Sequence, residues 1–323
     1  MHRSNAVSDS AEAEVYLQAV RGLLHSDESA ATFPERLQES GWYDLAAEEP
    51  ATAVGLLFEE QGRDAVATAA LDAEIARNTS LDLGTTTVIA HPRGDFPDFG
   101  AASDSVRVDA ILLAGSDRAE RVAVPAAICV VTGRLSSLDV APISGLDPAL
   151  GLLSARGTLA CETVHQLDHR ALLTAARRAL SHELIGVAEA MLAMSVKQVS
   201  DRQQFGRPIA AFQTVKHRLA EAKVSVDGAR AAALAAWRVR DDVTADVAKA
   251  LSGKAALLAA KHCQQVSGAI GFSMEYGLHT YVQRAYVLDR LYGSASLLRD
   301  ALGSDLIRNR AVPRLATPWR PAP

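Results

Sequence analysis

The sequence predicts an α+β fold: helices first, then a small antiparallel β-segment, then a bundle of four helices. Three observations predict it. Apolar residues recur at helical spacing before about residue 80, and short β-branched runs separated by turn residues occupy about 85–165. Helical spacing then returns from about 170 to 303. This order of elements favours separate helical and β parts over an alternating βαβ series.

The same changes of pattern predict the domain boundaries. We predict, in chain order, a disordered N-terminus, a helical domain, a β-domain, a helical bundle and a Pro-rich tail: 1–10, 11–80, 81–166, 167–310 and 311–323.

The helical domain is predicted from three apolar patterns, at 11–24, around 56–58 and at 66–75. The β-domain is predicted from four β-branched runs, at 85–89, 106–113, 122–132 and 138–143.

The bundle is predicted from four long patterns with one apolar face each, at 180–191, 212–229, 247–263 and 281–298. Four long amphipathic helices in succession indicate an up-and-down arrangement.

Composition limits the function classes. The 323 residues are 49% hydrophobic and carry a net charge of −5 with mixed signs, which does not suggest nucleic acid or an anionic membrane as a partner. No uninterrupted apolar run reaches the roughly 20 residues of a membrane span. Three separated cysteines and scattered histidines lack metal-ligand spacing, so we expect no metal site and a reducing, cytoplasmic location.

The most informative stretch, 201–213, joins the first two bundle helices. Gly206 and Pro208 end one helix, and the next begins at Phe212. Arg202 offers a fork of N–H donors that suits a phosphate or pyrophosphate. The turn alone is equally well explained as a helix cap with a packed ring. The whole string resembles the R-x-Q-F-G-x-P-I-x-x-F-Q signature of acyl-CoA dehydrogenases, flavoenzymes that desaturate acyl-CoA thioesters.

A second segment, 265–276, resembles the Q-x-x-G-G-x-G-x-x-x-E motif of the same family. Alone, Gly268 and Gly271 are explained by an ordinary helix terminus. In the family, both segments lean across a dimer interface onto the adenine and pyrophosphate of the neighbour's FAD. Ala269 replaces the second glycine, so we expect a looser contact.

The resemblance therefore implies five residues that contact a partner's FAD: Arg202, Gln204, Phe205, Gln265 and Gly268. It also places Arg177, on the first bundle helix, near the acyl-CoA pocket, although a surface arginine is the commoner explanation.

The chemistry requires a carboxylate that removes the α-proton of the thioester while the β-hydride leaves to the flavin. The family's two positions for this base fall on Tyr292 and Ala176 in this chain, and neither residue carries a carboxylate. Asp289 and Glu183 are possible relocated bases, but each is more often a solvated surface acid.

Other family features are also missing. Residues 81–166 contain no tryptophan and no Thr-Glu-Pro-like segment to cover the flavin, and the N-terminal helical part is truncated relative to the family.

The resemblance therefore implies a non-catalytic subunit of a heteromeric α2β2 acyl-CoA dehydrogenase. Its partner is expected to be a full-length homologue with FAD and the base. The resemblance extends to paired subunits that actinobacteria use on bulky steroid-derived thioesters, with electron-transfer flavoprotein as a possible acceptor. Two alternatives stay open: a self-sufficient homomeric enzyme with a relocated base, and a non-enzymatic CoA-binding or structural scaffold.

Overall fold

The computed structural model describes residues 3–25, 32–79, 81, 86–100, 103–116, 119–167 and 169–310. The chain divides into two compact units, residues 1–179 and 180–323, with the division inside the long helix His169–Asp201. The predicted tail 311–323 lies outside the described residues.

The first unit begins with five helices: α1 Arg3–Leu24, α2 Phe33–Glu39, α3 Trp42–Glu48, α4 Pro50–Asp64 and α5 Ala70–Thr79. The predicted patterns correspond to α1, α4 and α5. Helix α1 starts before residue 11, so part of the stretch predicted as disordered is helical. Helices α2 and α3 were not predicted, because each has only seven residues, too few to show a helical period.

Burial of large apolar side chains explains why α2 forms against its neighbours. Phe33 and Leu37 of α2, and Leu57 and Phe58 of α4, are all at most 1% exposed. The indole N–H of Trp42 donates a hydrogen bond to the carbonyl of Ala53 (3.1 Å), so the one polar atom of this buried ring is satisfied.

The β-domain contains eight strands, which are β1 Thr87–Ile89, β2 His91–Pro92, β3 Ser105–Leu112, β4 Arg121–Pro125, β5 Cys129–Arg134, β6 Asp139–Pro142, β7 Leu153–Ala160 and β8 Thr163–Gln166. They form two four-stranded sheets with the orders β1-β4-β5-β8 and β2-β3-β7-β6.

The antiparallel prediction is confirmed for every pair in these two sheets except β1 and β4, which are parallel. The predicted run 122–132 is two strands, β4 and β5, joined by a short turn. Strands β7 and β8 were not predicted. Strand β7 has few β-branched residues, and its eight-residue pairing with β3 defines it instead.

Close contacts hold the β-domain together. A Cβ atom on Gly133 of β5 would lie 2.4 Å from the carbonyl oxygen of Ala160, so only glycine allows the two strands this approach. Asp72 of α5 accepts a hydrogen bond from the backbone of Ile89 (3.0 Å) and pairs with the imidazole of His91 (2.7 Å). This buried carboxylate therefore ties α5 to β1 and β2.

The helical region begins with α6 His169–Asp201, followed by a short hairpin of β9 Gln203–Gln204 and β10 Arg207–Pro208. Four helices follow: α7 Gln213–Val239, α8 Asp242–Ser267, α9 Leu278–Arg290 and α10 Ala295–Asn309. Alanines Ala232, Ala236 and Ala248 form a buried cluster between α7 and α8. Asp241 caps α8 by accepting from the backbone N–H of Thr244 (2.7 Å).

One predicted helix was wrong in its extent. The pattern 281–298 is interrupted between α9 and α10, where Tyr292 and Gly293 have positive φ angles of 56° and 104°. Asp289 lies in the last turn of α9 and Tyr292 lies beyond the end of that helix, so the two residues do not share a helix face.

Helix α6 has the length and mean hydropathy of a membrane-spanning helix, a property missed by a search for uninterrupted apolar runs. Its most apolar window is 78% buried within the protein, which is also what the core helix of a globular domain shows.

Candidate functional site

The signature stretch forms a two-residue hairpin that presents an aromatic ring to solvent. Gln204 pairs with Arg207, and the two residues between them, Phe205 and Gly206, have φ angles of +55° and +76°. This is the backbone that a type I′ turn requires. For phenylalanine the left-handed conformation costs about 1–2 kcal/mol. Phe205 is nevertheless 90% exposed, so burial of its own ring does not offset that cost.

The hairpin also carries cationic groups. The guanidinium of Arg207 lies 4.1 Å from the ring centre of Phe212. The ring of Phe205 packs in a T-shaped arrangement with the same Phe212 ring, and the two ring centres are 6.1 Å apart. Arg202 is exposed, and its carbonyl accepts from the backbone N–H of Ile209 (2.9 Å). The neighbouring Asp201 pairs with Lys197 (2.6 Å) and does not neutralise Arg202. This exposed surface suits an anionic, planar ligand.

The glycine segment follows α8 directly. Gly268 has φ +64° and ψ −143°, a backbone that essentially only glycine adopts. A Cβ atom on Gly271 would lie 3.1 Å from the carbonyl oxygen of Gln264. The local backbone therefore accounts for a glycine at each of these two positions. Gln265 and Ala269 are exposed, so the methyl of Ala269 is placed at the surface.

Contacts within the second unit bring the two motif segments to one end of the bundle. His262, near the end of α8, contacts Arg218 (3.3 Å) and Glu221 (3.1 Å), near the start of α7. The hydroxyl of Tyr276 donates to the carbonyl of Met194 on α6 (2.7 Å). We call this place, formed by segments 202–213 and 265–276, the motif end of the bundle.

The turn at Tyr292 is held by side chains from outside it. Lys249 of α8 is completely buried, and its ammonium donates to the carbonyls of Asp289 (3.0 Å) and Gly293 (3.2 Å). The carboxylate of Asp289 accepts from the backbone N–H of Ala295 (2.9 Å), at the start of α10. Ser294 caps the same helix by accepting from Leu297.

This arrangement places a cation at the end of α9 and a carboxylate at the start of α10, and each charge interacts favourably with the dipole of its helix. Asp289 is 5% exposed and works as a cap, so it is poorly suited to be a relocated base. Sequence reasoning missed Lys249. The available signal was its spacing: Lys249 lies four residues after Ala245 and three before Ser252, which places it on a helix face of small buried residues.

The remaining predicted positions lie on α6. Ala176 and Glu183 are buried, at 0% and 2% exposure, and Arg177 is half-buried. Tyr292 is 7% exposed and offers a phenol in place of the family's carboxylate. The roles of Arg177 and Glu183 stay predictions.

Two groups at or next to the motif end have raised pKa values. Burial raises the pKa of the Cys263 thiol to about 11. Burial also raises the pKa of Tyr276, so its phenol stays protonated and can donate. Among the described residues, no three His, Cys, Asp or Glu side chains are grouped to hold a metal ion.

The β-domain contains an open cavity of about 390 Å³. Its walls include Ala90, Val108 and Val124, and its rim carries charges of both signs, among them Arg107 and Asp98.

The comparisons with known proteins show what this chain is similar to. The family described as "Acyl-CoA dehydrogenase, C-terminal domain" matches residues 168–307. The acyl-CoA dehydrogenase IpdE2 of Mycobacterium tuberculosis is 32% identical over 165 residues, which are 51% of this chain and 49% of that protein. The chain thus spans about half the length of this relative.

Two solved structures share the fold. The ChsE4–ChsE5 complex from Mycobacterium tuberculosis gives a TM-score of 0.69 at 20% identity, covering 95% of this chain and 98% of that chain. A Tcur3481–Tcur3483 steroid ACAD variant gives 0.66 at 20% identity, covering 94% and 99%. The predicted fold class, including helices, small sheets and a C-terminal helical bundle, is confirmed.

Proposed function

We propose that this chain, which belongs to the acyl-CoA dehydrogenase family, is the short, non-catalytic subunit of a heteromeric FAD-dependent acyl-CoA dehydrogenase. In this proposal the partner is a full-length homologue, the assembly is α2β2, and each pair of chains shares one FAD in the cytoplasm. FAD, when bound, accepts the β-hydride of the acyl-CoA.

One observation supports the proposal: the motif end presents an exposed aromatic and cationic surface, while Tyr292 stands where the resemblance leads us to expect a catalytic carboxylate. Phe205 is kept exposed in a left-handed conformation whose cost of about 1–2 kcal/mol nothing in its own burial offsets. Strain of this kind concentrates at functional sites. At the base position, a phenol with an ordinary pKa near ~10 is a poor acceptor for the α-proton.

The residues of the motif end fit half of an FAD. The exposed ring of Phe205 and the guanidinium of Arg202 suit the adenine and the pyrophosphate. Open space beside Gly268 would admit a close approach, since a Cβ atom there would meet nothing within 4 Å. Gln204 and Gln265 add exposed amides.

Distance along the bundle supports a composite site. Eighteen residues of α8 separate Lys249, which holds the Tyr292 turn, from Ser267 at the motif end. At 1.5 Å per helical residue this is about 27 Å. The two features are therefore at different places, as expected if the motif end serves a cofactor held by the partner.

The substrate class is part of the proposal. One structural neighbour is described as a steroid ACAD and another as a complex of two differently named chains. We infer a bulky, steroid-derived acyl-CoA as substrate, with electron-transfer flavoprotein as the electron acceptor.

A flavin absorbance spectrum tests the proposal. The chain is purified alone, and also after co-expression with a full-length homologue from the same genome. We expect a colourless chain alone and a yellow complex with about one FAD per pair.

Other results would support the alternatives. A chain that is yellow alone would favour a homomeric enzyme, and Glu183→Gln would then be the first variant to assay. Colourless protein in both preparations would favour a non-enzymatic scaffold.

A further inference from the structure

Three titratable side chains form a cluster just below the motif end. His262 of α8 is 5% exposed, and its Nδ1 atom lies 3.3 Å from the guanidinium of Arg218. Its Nε2 atom lies 3.1 Å from the carboxylate of Glu221, one turn further along α7. The cluster therefore joins the helix that follows the signature stretch to the helix that precedes the glycine segment.

The contacts determine the form of the imidazole. A guanidinium only donates hydrogen bonds, so Nδ1 of His262 must accept and cannot carry a proton. Nε2 then carries the proton and donates to Glu221. His262 is thus neutral in this arrangement, and it fixes the guanidinium of Arg218 from one side.

The segment that leads into the cluster is rich in cations. Residues 202–219 contain Arg202, Arg207, Lys216 and Arg218, and the acids Asp201 and Glu221 flank this range. Only one N–H group of Arg218 is engaged by His262, and the residue is half-exposed, which leaves donors for an outside ligand. An anion that reaches the motif end therefore meets a cationic surface.

We propose that Arg218 is a further phosphate-contacting residue of the motif end and that His262 is the residue that positions it. The ligand class is the pyrophosphate of a dinucleotide, and the inference rests on the proposed function above. His262 does not touch the ligand; it holds Arg218 in place through Nδ1.

The test measures FAD binding by the co-expressed complex, stripped of flavin and titrated with FAD. We expect Arg218→Ala to weaken FAD binding about tenfold at pH 8, the scale of one lost charge-assisted hydrogen bond. Arg238→Ala, at the far end of α7, is the matched charge control and should leave FAD binding unchanged.

Two variants of His262 separate positioning from mere packing. In His262→Gln an amide can accept from Arg218 and donate to Glu221, so we expect the variant to bind FAD within about twofold of the parent at pH 8. In His262→Leu the side chain is still large but cannot accept from Arg218, so we expect FAD binding to weaken about fivefold or more.

Each result is decisive. Equal FAD affinity in His262→Gln and His262→Leu would overturn the positioning role, and unchanged affinity in Arg218→Ala would overturn the phosphate contact. If Arg202→Ala also left FAD affinity unchanged, or no complex formed, the proposed function itself would fail. If Arg202→Ala weakened FAD binding and Arg218→Ala did not, only the proposed role of Arg218 would be refuted.

Discussion

Replacing Lys249 by methionine tests whether the Tyr292 turn depends on a buried cation. Methionine keeps most of the side-chain volume but removes the ammonium that donates to Asp289 (3.0 Å) and Gly293 (3.2 Å). Each hydrogen bond from a charged donor contributes about 1.5–3 kcal/mol. The two carbonyls would also be left without this donor, at the end of α9. The substitution also removes the cost of keeping an ammonium group buried and desolvated, which offsets part of the lost hydrogen-bond energy. We therefore expect a net loss of about 3–5 kcal/mol in the free energy of unfolding.

Urea unfolding followed by far-UV circular dichroism measures this loss. With an m-value near ~2 kcal/mol/M, the midpoint should fall by roughly 1.5–2.5 M. Lys254→Met is the matched control, because Lys254 is an exposed lysine on the same helix. That control should change stability by less than about 0.5 kcal/mol.

Amide exchange locates the effect. The N–H groups of Ala295 and Leu297 donate to Asp289 and Ser294, so both should exchange faster in Lys249→Met if the turn loosens. A midpoint shift no larger than that of Lys254→Met, with unchanged exchange at Ala295, would refute the reasoning.

Two further predictions concern packing and pH. Gly133→Ala should destabilise the β-domain by about 1–3 kcal/mol, because the new methyl would overlap the carbonyl of Ala160, whereas Gly228→Ala on an open face of α7 should be neutral or stabilising in the same thermal melts. Cys263 should resist a disulfide reagent at pH 8 while Cys161 reacts, since the raised pKa of about 11 and complete burial keep its thiol protonated. Because that pKa lies above the ordinary 9.0, stability from this thiol is present below about pH 9 and is lost as pH rises toward 11. Rapid labelling of native Cys263 at pH 8, or equal melts for the two glycine variants, would contradict these expectations.

Local signals explain which parts of the fold were predictable. Gly206 and Pro208 cannot continue a helix, so the end of α6 at Asp201 and the start of α7 at Gln213 follow from neighbouring residues alone. The break at Leu291–Ser294 does not, because apolar spacing continues through it. It depends on Lys249, some forty residues earlier in the chain. Long-range contacts of this kind have no trace in the periodicity of one segment.

The candidate site shows the same division. The motif string indicated Arg202 and Phe205, but not that Phe205 occupies a left-handed turn with its ring in solvent. Nor did spacing reveal His262 as the link between α7 and α8, since its partners lie 44 and 41 residues away. A three-residue interval between an arginine and a glutamate on one helix is common and carries no sign of a buried histidine opposite.

Lys249, Asp289 and Ser294 secure the backbone on both sides of the Tyr292 turn through hydrogen bonds to backbone groups. At the motif end, Phe205 is 90% exposed and occupies a left-handed conformation that its own burial does not offset. Because strain of this kind concentrates at functional sites, a ligand or partner that covers Phe205 would account for it. This supports the proposal that the motif end contacts a partner's cofactor.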